Sequence, residues 1–485
     1  MSKTHIGISG IAVHAPPFRV DLQNWCDWSG QDWNKIRDVV GTGFRLPGPQ
    51  QSVYTMAANA VLKLIENYDI DPSTVRYLGL GTESSTDNSA GAVIAKGMVD
   101  NALRQQGKVP LSRNCEVPEF KHACLGGVYA IKNALRFLQT DGQDATAIVV
   151  CSDIALYEQG SSGEPTQGSG AVAILLQANP TLASIDLQKS GNASDYRVVD
   201  FRKPIQYTNG DGRTYACTNI PVFNGRYSAS CYVDELLSAL ENMYARRGLD
   251  ANQYLRELTA VFMHRPFRRM PENGWGMAYL FSLLNESHQD ELRRYAETAG
   301  VNFTDLQDEM NNRPHLSEFG VQERIAEDAF PLVNKVLRCF RNEVDYPRLI
   351  SDKMRLGSAT MEELGNLYTG ALPAWFAAGL EQAARESVDL TDKEILLFGY
   401  GSGDAAEAMP VTMVAGWERA AAKINMADAM AGAVNLSEDQ YRSLHRGSTA
   451  DLGYQPSDEF IVERVGASSE SDFQDKGIEY YRFVE

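Results

Sequence analysis

The chain has 485 residues, of which 44% are apolar and 22% are charged, so it is globular and long enough for two or three domains. Its net charge of −18 argues against nucleic acid as a partner, because phosphate binding needs a basic surface. We find no apolar run of membrane-spanning length and no secretory signal, so we expect no membrane partner. The seven cysteines are widely spread without a Cys-x-x-Cys pair, which suits a reducing cytoplasm.

Strands and helices alternate in the first part of the chain. Apolar patterns predict strands at 6–13, 75–81, 114–120, 146–153 and 171–176, and helices at 56–65 and 124–138. This alternation predicts an α/β sheet with helices on both faces. After about residue 185 the sequence becomes loop-rich and then helical, with helices predicted at 232–246, within 275–356 and at 372–385. Further strands are predicted at 258–263, 394–400, 459–465 and 478–484.

Cys124 stands between a predicted strand and a predicted helix, in Glu119-Phe-Lys-His-Ala-Cys-Leu-Gly-Gly. A cysteine at a helix start has its thiolate stabilised by unpaired N–H groups and by the helix dipole. The two glycines that follow allow a substrate to approach the backbone closely. These features favour a nucleophile. The alternative is a buried structural thiol, which is how we interpret the other six cysteines.

A nucleophilic cysteine needs a base or a cationic partner that is remote in sequence. Among seven histidines, His264 follows a predicted buried strand and precedes a proline, and strand ends are where α/β folds place catalytic groups. Glu83 follows the predicted strand 75–81, and a carboxylate in a partly dry cleft acts as acid and base near neutral pH. The alternatives are a satisfied core or surface histidine and a loop carboxylate that caps a helix.

The segment Gly399-Tyr-Gly-Ser-Gly-Asp follows the predicted strand 394–400. Its backbone N–H groups are candidates for an oxyanion hole, and a plain tight turn is the alternative. The chain matches neither a phosphate-binding loop nor a dinucleotide fingerprint, and no cluster of ligands has metal spacing. We therefore expect no bound cofactor and no metal.

Short motifs are spread along the chain in a fixed order. They are Gly81-Thr-Glu-Ser, Ala123-Cys-Leu-Gly-Gly, Ser152-Asp-Ile-Ala-Leu-Tyr, Pro165-Thr-Gln-Gly-Ser-Gly, Asp200-Phe-Arg-Lys-Pro, Asn224-Gly-Arg-Tyr-Ser, His264-Arg-Pro-Phe, Gly365-Asn-Leu-Tyr-Thr-Gly and Tyr400-Gly-Ser-Gly. Together they resemble the hydroxymethylglutaryl-CoA synthase family, within the thiolase-fold superfamily, over nearly the whole chain. The resemblance implies an α/β, thiolase-like fold: two related halves in five layers, αβαβα, with extra helices in the second half. We place the halves at 1–185 and 186–485 and expect a homodimer.

The resemblance also implies a role for each motif residue in an acyltransferase that joins acetyl-CoA to acetoacetyl-CoA, as in isoprenoid (mevalonate) precursor synthesis. Cys124 would carry the acetyl group, Glu83 would remove a proton from its methyl, and His264 would assist the acceptor. The positions that match the substrate pocket are Tyr157, Thr166, Ser228, Arg269, Asn366 and Ser402, and those that match supporting positions are Asp153 and Asp200. The N–H groups of Cys124 and Ser402 would hold the thioester oxygen.

The chain departs from the family pattern at its CoA-binding lysines. Arg269 and Asn273 occupy two positions where relatives have lysine, and Arg265, Arg268 and Arg269 form a basic cluster that could contact CoA phosphates or be a solvated patch. A carrier-protein-dependent variant, which adds a β-branch during polyketide assembly, is one alternative. Another thiolase-fold condensing enzyme and a non-catalytic relative are the others; retention of Glu83, Cys124 and His264 disfavours the last.

Overall fold

The computed structural model describes residues 5–85, 91–204, 206–216, 219–321, 324–448 and 452–485. Its strands are β1 (Ile6–His14), β2 (Phe18–Asp21), β3 (Gly43–Leu46), β4 (Val75–Gly81), β5 (Glu119–Phe120), β6 (Thr146–Ala155), β7 (Gly168–Ala178), β8 (Ala183–Ile185), β9 (Gly191–Ser194), β10 (Phe201–Arg202), β11 (Gln206–Thr208), β12 (Thr214–Ala216), β13 (Val222–Phe223), β14 (Ala260–Met263), β15 (Glu394–Gly401), β16 (Ala405–Met413), β17 (Val434–Asn435), β18 (Glu459–Val465), β19 (Ser469–Glu470), β20 (Phe473–Gln474) and β21 (Glu479–Val484).

The helices lie mostly between these strands and in one long insertion. They are α1 (Leu22–Ser29), α2 (Trp33–Val39), α3 (Val53–Asn67), α4 (Gly91–Gln105), α5 (Gly126–Gln139), α6 (Gly225–Arg247), α7 (Ala251–Glu257), α8 (Arg269–Ser282), α9 (Gln289–Thr298), α10 (Phe303–Asn311), α11 (Leu316–Val321), α12 (Pro331–Phe340), α13 (Tyr346–Leu349), α14 (Ser358–Met361), α15 (Ala371–Arg385), α16 (Trp417–Ala421), α17 (Met426–Met430) and α18 (Glu438–His445). Each helix that the structure describes is too short or too polar to cross a membrane.

Two sets of strands repeat one pairing pattern, which reveals related halves. In the first set β1 pairs antiparallel with β7, β7 antiparallel with β6, and β6 parallel with β4. In the second set β9 pairs antiparallel with β16, β16 antiparallel with β15, and β15 parallel with β14. The strand β8 pairs with both β1 and β16 and so joins the two sets into one hydrogen-bonded path. The predicted division at residue 185 falls at this joining strand and stays a prediction.

Helices pack on both faces of each set and produce five layers. The helix α3 lies on the outer face of β1, β6 and β7, and α6 lies on β9 and β16. Between the two sets, α5 and α15 contact each other's strands: side chains of Ile8, Val128, Phe376 and Leu397 meet in one small apolar gap. The sequence explains this burial, because α5 and α15 are apolar over most of their circumference. The predicted thiolase-like αβαβα arrangement is therefore confirmed, and the insertion α8–α14, between β14 and α15, supplies the extra helices.

Most predicted elements form within a few residues of their expected bounds, but the strand expected at 114–120 is reduced to β5. Pro118 has no N–H to donate to β4, so the ladder loses one bond there, and the bonds that remain around it are Glu116 N to Arg76 O, Leu78 N to Glu116 O and Leu80 N to Pro118 O. The helix expected to start at Cys124 starts at Gly126. Because β5 is shorter and α5 starts later than predicted, Cys124 lies in a turn between them and not at the first residue of a helix.

Candidate active site

The candidate residues from remote segments meet at one cavity of about 270 Å³, which we call the Cys124 cavity. Seven of the predicted site residues line it: Cys124, Tyr157, Thr166, Ser228, His264, Asn366 and Ser402. The rest of the lining comes from residues that sequence reasoning did not single out, namely Ser162, Gly163, Phe201, Phe223, Gly225, Pro266, Phe267, Met270, Tyr368 and Tyr400. Loops that follow β5, β6, β14 and β15 therefore converge on a partly aromatic pocket.

Cys124 lies in a tight turn, two residues before the first residue of α5. Leu125 N donates to His122 O at 2.9 Å, and Ala123 has a φ of +42°, in the left-handed region. Burial raises the pKa of the Cys124 thiol well above its usual value, and the nearby carboxylates of Glu83 and Asp153 raise it further. This direction is opposite to the expected stabilisation of a thiolate by the helix start: α5 begins two residues after Cys124, and burial and the two carboxylates oppose ionisation of the thiol. The resting nucleophile is a neutral thiol.

Glu83 lies in the loop after β4, with 8% of its surface exposed. Its Oε2 accepts a hydrogen bond from Cys124 Sγ at 3.5 Å, and its Oε1 lies 3.3 Å from Lys203 Nζ. Burial raises the pKa of Glu83 to about 7, against the opposing effect of Lys203. A carboxyl group with this pKa takes up and releases protons at neutral pH, which suits general acid–base catalysis.

Asp153, at the end of β6, holds the loop that carries Glu83. It is fully buried, and its Oδ1 accepts hydrogen bonds from Glu83 N at 2.8 Å, Ser84 N at 3.1 Å and Thr82 Oγ1 at 3.0 Å. Its Oδ2 accepts from Thr369 N at 3.0 Å and from the Thr369 hydroxyl. One carboxylate thus ties the Glu83 loop of the first half to the segment before α15 of the second half. Asp153 does not line the cavity but fixes two of its walls.

His264 follows β14 and is 2% exposed. Its backbone is held by Phe398 O, which accepts from His264 N at 2.7 Å, and by Tyr232 Oη, which donates to His264 O at 3.0 Å. Its ring lies parallel to Tyr400 at 6.3 Å, and its Nδ1 has no hydrogen-bond partner among the described residues. Burial lowers the pKa of His264 to about 3, so the imidazole is neutral. A neutral ring at a cavity wall offers one N–H donor and one acceptor nitrogen to a bound substrate.

Asn366 and Thr166 form the wall next to His264. Asn366 N donates to Thr166 O at 3.2 Å, and Asn366 Oδ1 accepts from Tyr368 N at 2.9 Å. A Cβ atom on Gly168 would lie 2.6 Å from the backbone of Asn366, so this close approach requires glycine. The Pro165-Thr-Gln-Gly motif therefore positions the asparagine. Tyr157 closes the same wall, with its ring 5.3 Å from that of Phe223.

Ser228 and Ser402 line the cavity from the second half, at the start of α6 and in the turn after β15. Asp200 lies behind the cavity, where it accepts a hydrogen bond from Tyr400 Oη at 3.2 Å. The same hydroxyl lies 3.1 Å from Asp404 Oδ1. Asp200 is thus placed to orient Tyr400, whose ring contacts His264, rather than to touch a substrate.

The arginine cluster predicted from the sequence is split by the fold. Arg265 is buried, with its guanidinium 4.9 Å above the Trp375 ring and its Nη1 donating to Ser358 Oγ at 2.9 Å. Arg269 does not line the Cys124 cavity and pairs with Glu272 Oε2 at 3.3 Å. The expectation of three neighbouring arginines free for phosphates is therefore wrong for Arg265. Arg268 and Arg269 are the two that reach the surface, and their role in CoA binding stays a prediction.

The cavity contains one charged neighbour and several rings that sequence reasoning missed. Lys203 lies in the motif Asp200-Phe-Arg-Lys-Pro, but a lysine in a loop carries no local signal of a buried partner. Tyr368 occupies the left-handed region, with a φ of +46°, in the Gly365-Asn-Leu-Tyr motif. Phe201 packs edge-on against it at 6.0 Å. Only the folded chain brings these residues to Cys124.

A thiol held against a buried carboxylate, on a thiolase-like fold of two related halves, is the arrangement of condensing enzymes that form carbon–carbon bonds between acyl groups. Comparisons with known proteins define the family within this class. The model for the hydroxymethylglutaryl-coenzyme A synthase N terminal domain matches residues 2–181, and that for the C terminal domain matches 346–443. The chain belongs to the hydroxymethylglutaryl-CoA synthase family.

Individual relatives agree with this assignment over almost the full length. The hydroxymethylglutaryl-CoA synthase of Haloferax volcanii is 25% identical and covers 97% of this chain and 99% of its own. Hydroxymethylglutaryl-CoA synthase A of Dictyostelium discoideum is 25% identical and covers 98% and 90%. The solved structure of MvaS in complex with 3-hydroxy-3-methylglutaryl coenzyme A is similar in fold, with a TM-score of 0.75, 23% identity and full coverage of both chains. The HMG synthase of curacin biosynthesis with an acetyl donor carrier protein gives a TM-score of 0.69 at 18% identity, covering 99% and 100%.

Proposed function

We propose that the chain condenses acetyl-CoA with acetoacetyl-CoA and water to give 3-hydroxy-3-methylglutaryl-CoA and free CoA, through an acetyl-Cys124 intermediate. The observation that carries this proposal is the contact between Glu83 Oε2 and Cys124 Sγ at 3.5 Å, beside the cavity that His264 lines. A decarboxylating synthase makes its carbanion by losing carbon dioxide and has no need of such a base. A condensing enzyme that starts from an acetyl group must remove a proton from a methyl, and Glu83 is placed to do so.

The first step forms the acetyl-enzyme. The Cys124 sulfur attacks the thioester carbonyl of acetyl-CoA, and the thiol proton passes through Glu83 to the departing CoA sulfur. The backbone N–H groups of Cys124 and Ser402 are the proposed donors to the oxyanion that forms in this step. Because the thiol has a raised pKa, its proton must leave as the sulfur attacks, and Glu83 Oε2 is the acceptor within hydrogen-bonding reach.

The second step forms the carbon–carbon bond. Ionised Glu83 takes a proton from the methyl of the acetyl-enzyme, and the resulting enolate carbon attacks the C3 ketone of the acceptor. His264 donates an N–H hydrogen bond to the oxygen that becomes an alkoxide, in the pocket formed with Asn366, Tyr157, Thr166 and Ser228. The proton that Glu83 removed is returned to this alkoxide, and water then releases the product from Cys124.

Intact-mass spectrometry after incubation with acetyl-CoA tests this assignment. Wild type should gain one acetyl group, and Cys124→Ala should gain none. Glu83→Ala should still reach one acetyl group at the end point, but more slowly, because solvent must then take the thiol proton, while the charge that raises the pKa of the thiol is gone. It should nevertheless fail to condense, with a loss of about 10²–10⁴-fold, the usual contribution of a general base. Acetylation at another cysteine, or full condensation by Glu83→Ala, would contradict the proposal.

We further propose free CoA thioesters, rather than carrier-bound acyl groups, as the substrates. The support is that Arg268 and Arg269 are half-buried at the surface beside Phe267 and Met270, which line the Cys124 cavity, although each arginine pairs with a glutamate, Glu362 or Glu272. The carrier-protein alternative is kept open by the similarity in fold to the curacin synthase. Parallel assays with acetoacetyl-CoA and with an acetoacetyl carrier protein separate the two. A kcat/KM that is higher for the carrier-bound acceptor would favour the alternative.

We also propose that the protein acts as a cytoplasmic homodimer in isoprenoid precursor (mevalonate) synthesis. The six cysteines that the structure describes are all free thiols, as expected in a reducing compartment. Sedimentation equilibrium tests the dimer, and a monomer mass of 53.5 kDa is the outcome that would contradict it.

A further inference from the structure

Lys203 is a cation enclosed in the active site with no part assigned to it so far. It follows β10, and 14% of its side chain is exposed. Its ammonium lies 4.6 Å from the centre of the Tyr368 ring and 3.3 Å from Glu83 Oε1. Burying a lysine in this way is costly unless a partner compensates for the lost hydration. The aromatic face and the carboxylate are the two partners that the described residues provide.

The groups around the Glu83 carboxylate carry mostly negative or neutral charge. Asp153 contacts the backbone of Glu83 from β6, the Cys124 thiol approaches from the turn before α5, and the hydroxyls of Tyr157 and Tyr368 face the same space. Lys203 is the cation that the described part of the chain places against them. Without it, a carboxylate in this desolvated and negatively charged setting would retain its proton.

The two oxygens of Glu83 have different partners, and acetylation affects only one of them. Oε2 accepts the hydrogen bond from the Cys124 thiol, which is lost when the sulfur carries an acetyl group. Oε1 keeps its contact with Lys203. After acetylation the carboxylate is therefore held through one oxygen while the other faces the new methyl group.

We propose that Lys203 is a positioning residue that keeps Glu83 ionised and oriented toward the acetyl methyl during condensation. This inference rests on the proposed role of Glu83 as the base. The ammonium acts through the carboxylate and does not itself contact the reacting atoms.

Single-turnover kinetics of the preformed acetyl-enzyme isolate the step at issue. Wild type, Lys203→Met, Lys203→Arg and the exposed neighbour Arg202→Met are acetylated to completion, mixed with acetoacetyl-CoA and followed by quenched-flow mass spectrometry from pH 5.5 to 9.5. Removing the ammonium raises the pKa of Glu83, so the acidic limb of the Lys203→Met profile should move to higher pH by about one unit or more. The rate near neutrality should fall by about tenfold or more and approach that of wild type at high pH.

The variants and their controls separate an electrostatic role from a structural one. Lys203→Arg should restore the position of the limb, and Arg202→Met should leave it unchanged. A uniform rate loss at every pH, or a raised KM with an unmoved limb, would overturn the inference. If Lys203→Met fails to fold, Lys203→Ala is used instead. Added ethylammonium should then restore its rate of condensation near neutrality, and the same concentration of potassium chloride should not. No rescue by ethylammonium would overturn the inference. Failure of wild type to become acetylated would instead contradict the proposed function.

Discussion

Replacing Asp153 with asparagine should have two effects. It should lower the stability of the protein, and it should lower the pH below which the rate of condensation falls. The amide retains one acceptor oxygen but replaces the other with a donor of similar size, so no cavity opens. If the amide oxygen stays with Glu83 N and Ser84 N, the amide nitrogen faces Thr369 N, which loses its acceptor. Leaving a buried N–H without a partner costs about 1–3 kcal/mol.

The size of the thermal effect follows from the length of the chain. Unfolding entropies of about 2.1 cal/mol/K per residue correspond to roughly 1 kcal/mol/K for a chain of 485 residues. A loss of about 1–3 kcal/mol therefore lowers Tm by about 1–3 °C, which differential scanning calorimetry resolves. The effect on condensation is favourable at low pH. The negative charge of Asp153 raises the pKa of Glu83, so removing that charge lets Glu83 ionise, and act as base, at lower pH.

A matched control is Asp100→Asn, far from the active site. Asp100 is also buried, accepts from Leu111 N at 2.8 Å and pairs with Lys96 Nζ at 2.7 Å. The Asp100→Asn substitution should lower Tm by a similar amount. It should not change the pH below which the single-turnover rate of condensation falls. An Asp153→Asn enzyme with the stability of wild type, or with a limb displaced to higher pH, would refute the reasoning about this carboxylate.

Three further predictions concern Glu83, His264 and the packing of α5 against β6 at Gly127. In wild type, condensation by the preformed acetyl-enzyme should fall as the pH drops below neutrality, since protonated Glu83 cannot act as base; burial raises the pKa of Glu83 to about 7 in the free enzyme, and acetylation removes the Cys124 hydrogen bond that lowers it. A flat profile between pH 6 and 8 in rapid-quench assays contradicts this. Because burial lowers the pKa of His264 to about 3, ¹⁵N NMR should show a neutral imidazole at pH 5.5. Gly127→Ala should cost about 1–3 kcal/mol in thermal melts, because its Cβ would lie 2.4 Å from Cys151 Sγ, whereas Gly97→Ala, with nothing within 4 Å, should not destabilise.

The fold was predictable in class and in most elements, but the duplication was implied only by the family resemblance and not by any repeat in the sequence. Apolar runs such as those of β4 and β6 identify buried strands because both faces of these strands are covered. The repeat shows only in the pairing of β9, β14, β15 and β16, since hydrogen-bonded register leaves no trace in side-chain identity. A single residue without an N–H, Pro118, was enough to shorten a predicted strand.

The residues of the site were predicted better than their electrostatics. Motif order pointed to Glu83, Cys124 and His264, and the fold places Cys124 and His264 in one cavity, with Glu83 hydrogen-bonded to Cys124. The predicted ionisation of the Cys124 thiol was wrong, because the pKa of the thiol depends on burial and on charges from other segments, which no local sequence pattern contains. Lys203 was missed for the same reason: its only signal is the partner it meets in three dimensions.

In the proposed mechanism, the hydrogen bond from the Cys124 thiol to Glu83 Oε2 would set the order of the two proton transfers. While the thiol is free, it donates to Glu83 Oε2, so that oxygen is occupied and the carboxylate is a weaker base. Acetylation of Cys124 would remove the S–H that donates this hydrogen bond. The acetyl methyl group would then lie next to Glu83 Oε2 in the same desolvated site. The carboxylate then becomes more basic at the moment when a carbon acid is within reach. We infer that the base is restrained until the donor acyl group is attached, because one hydrogen bond serves both the nucleophile and the base.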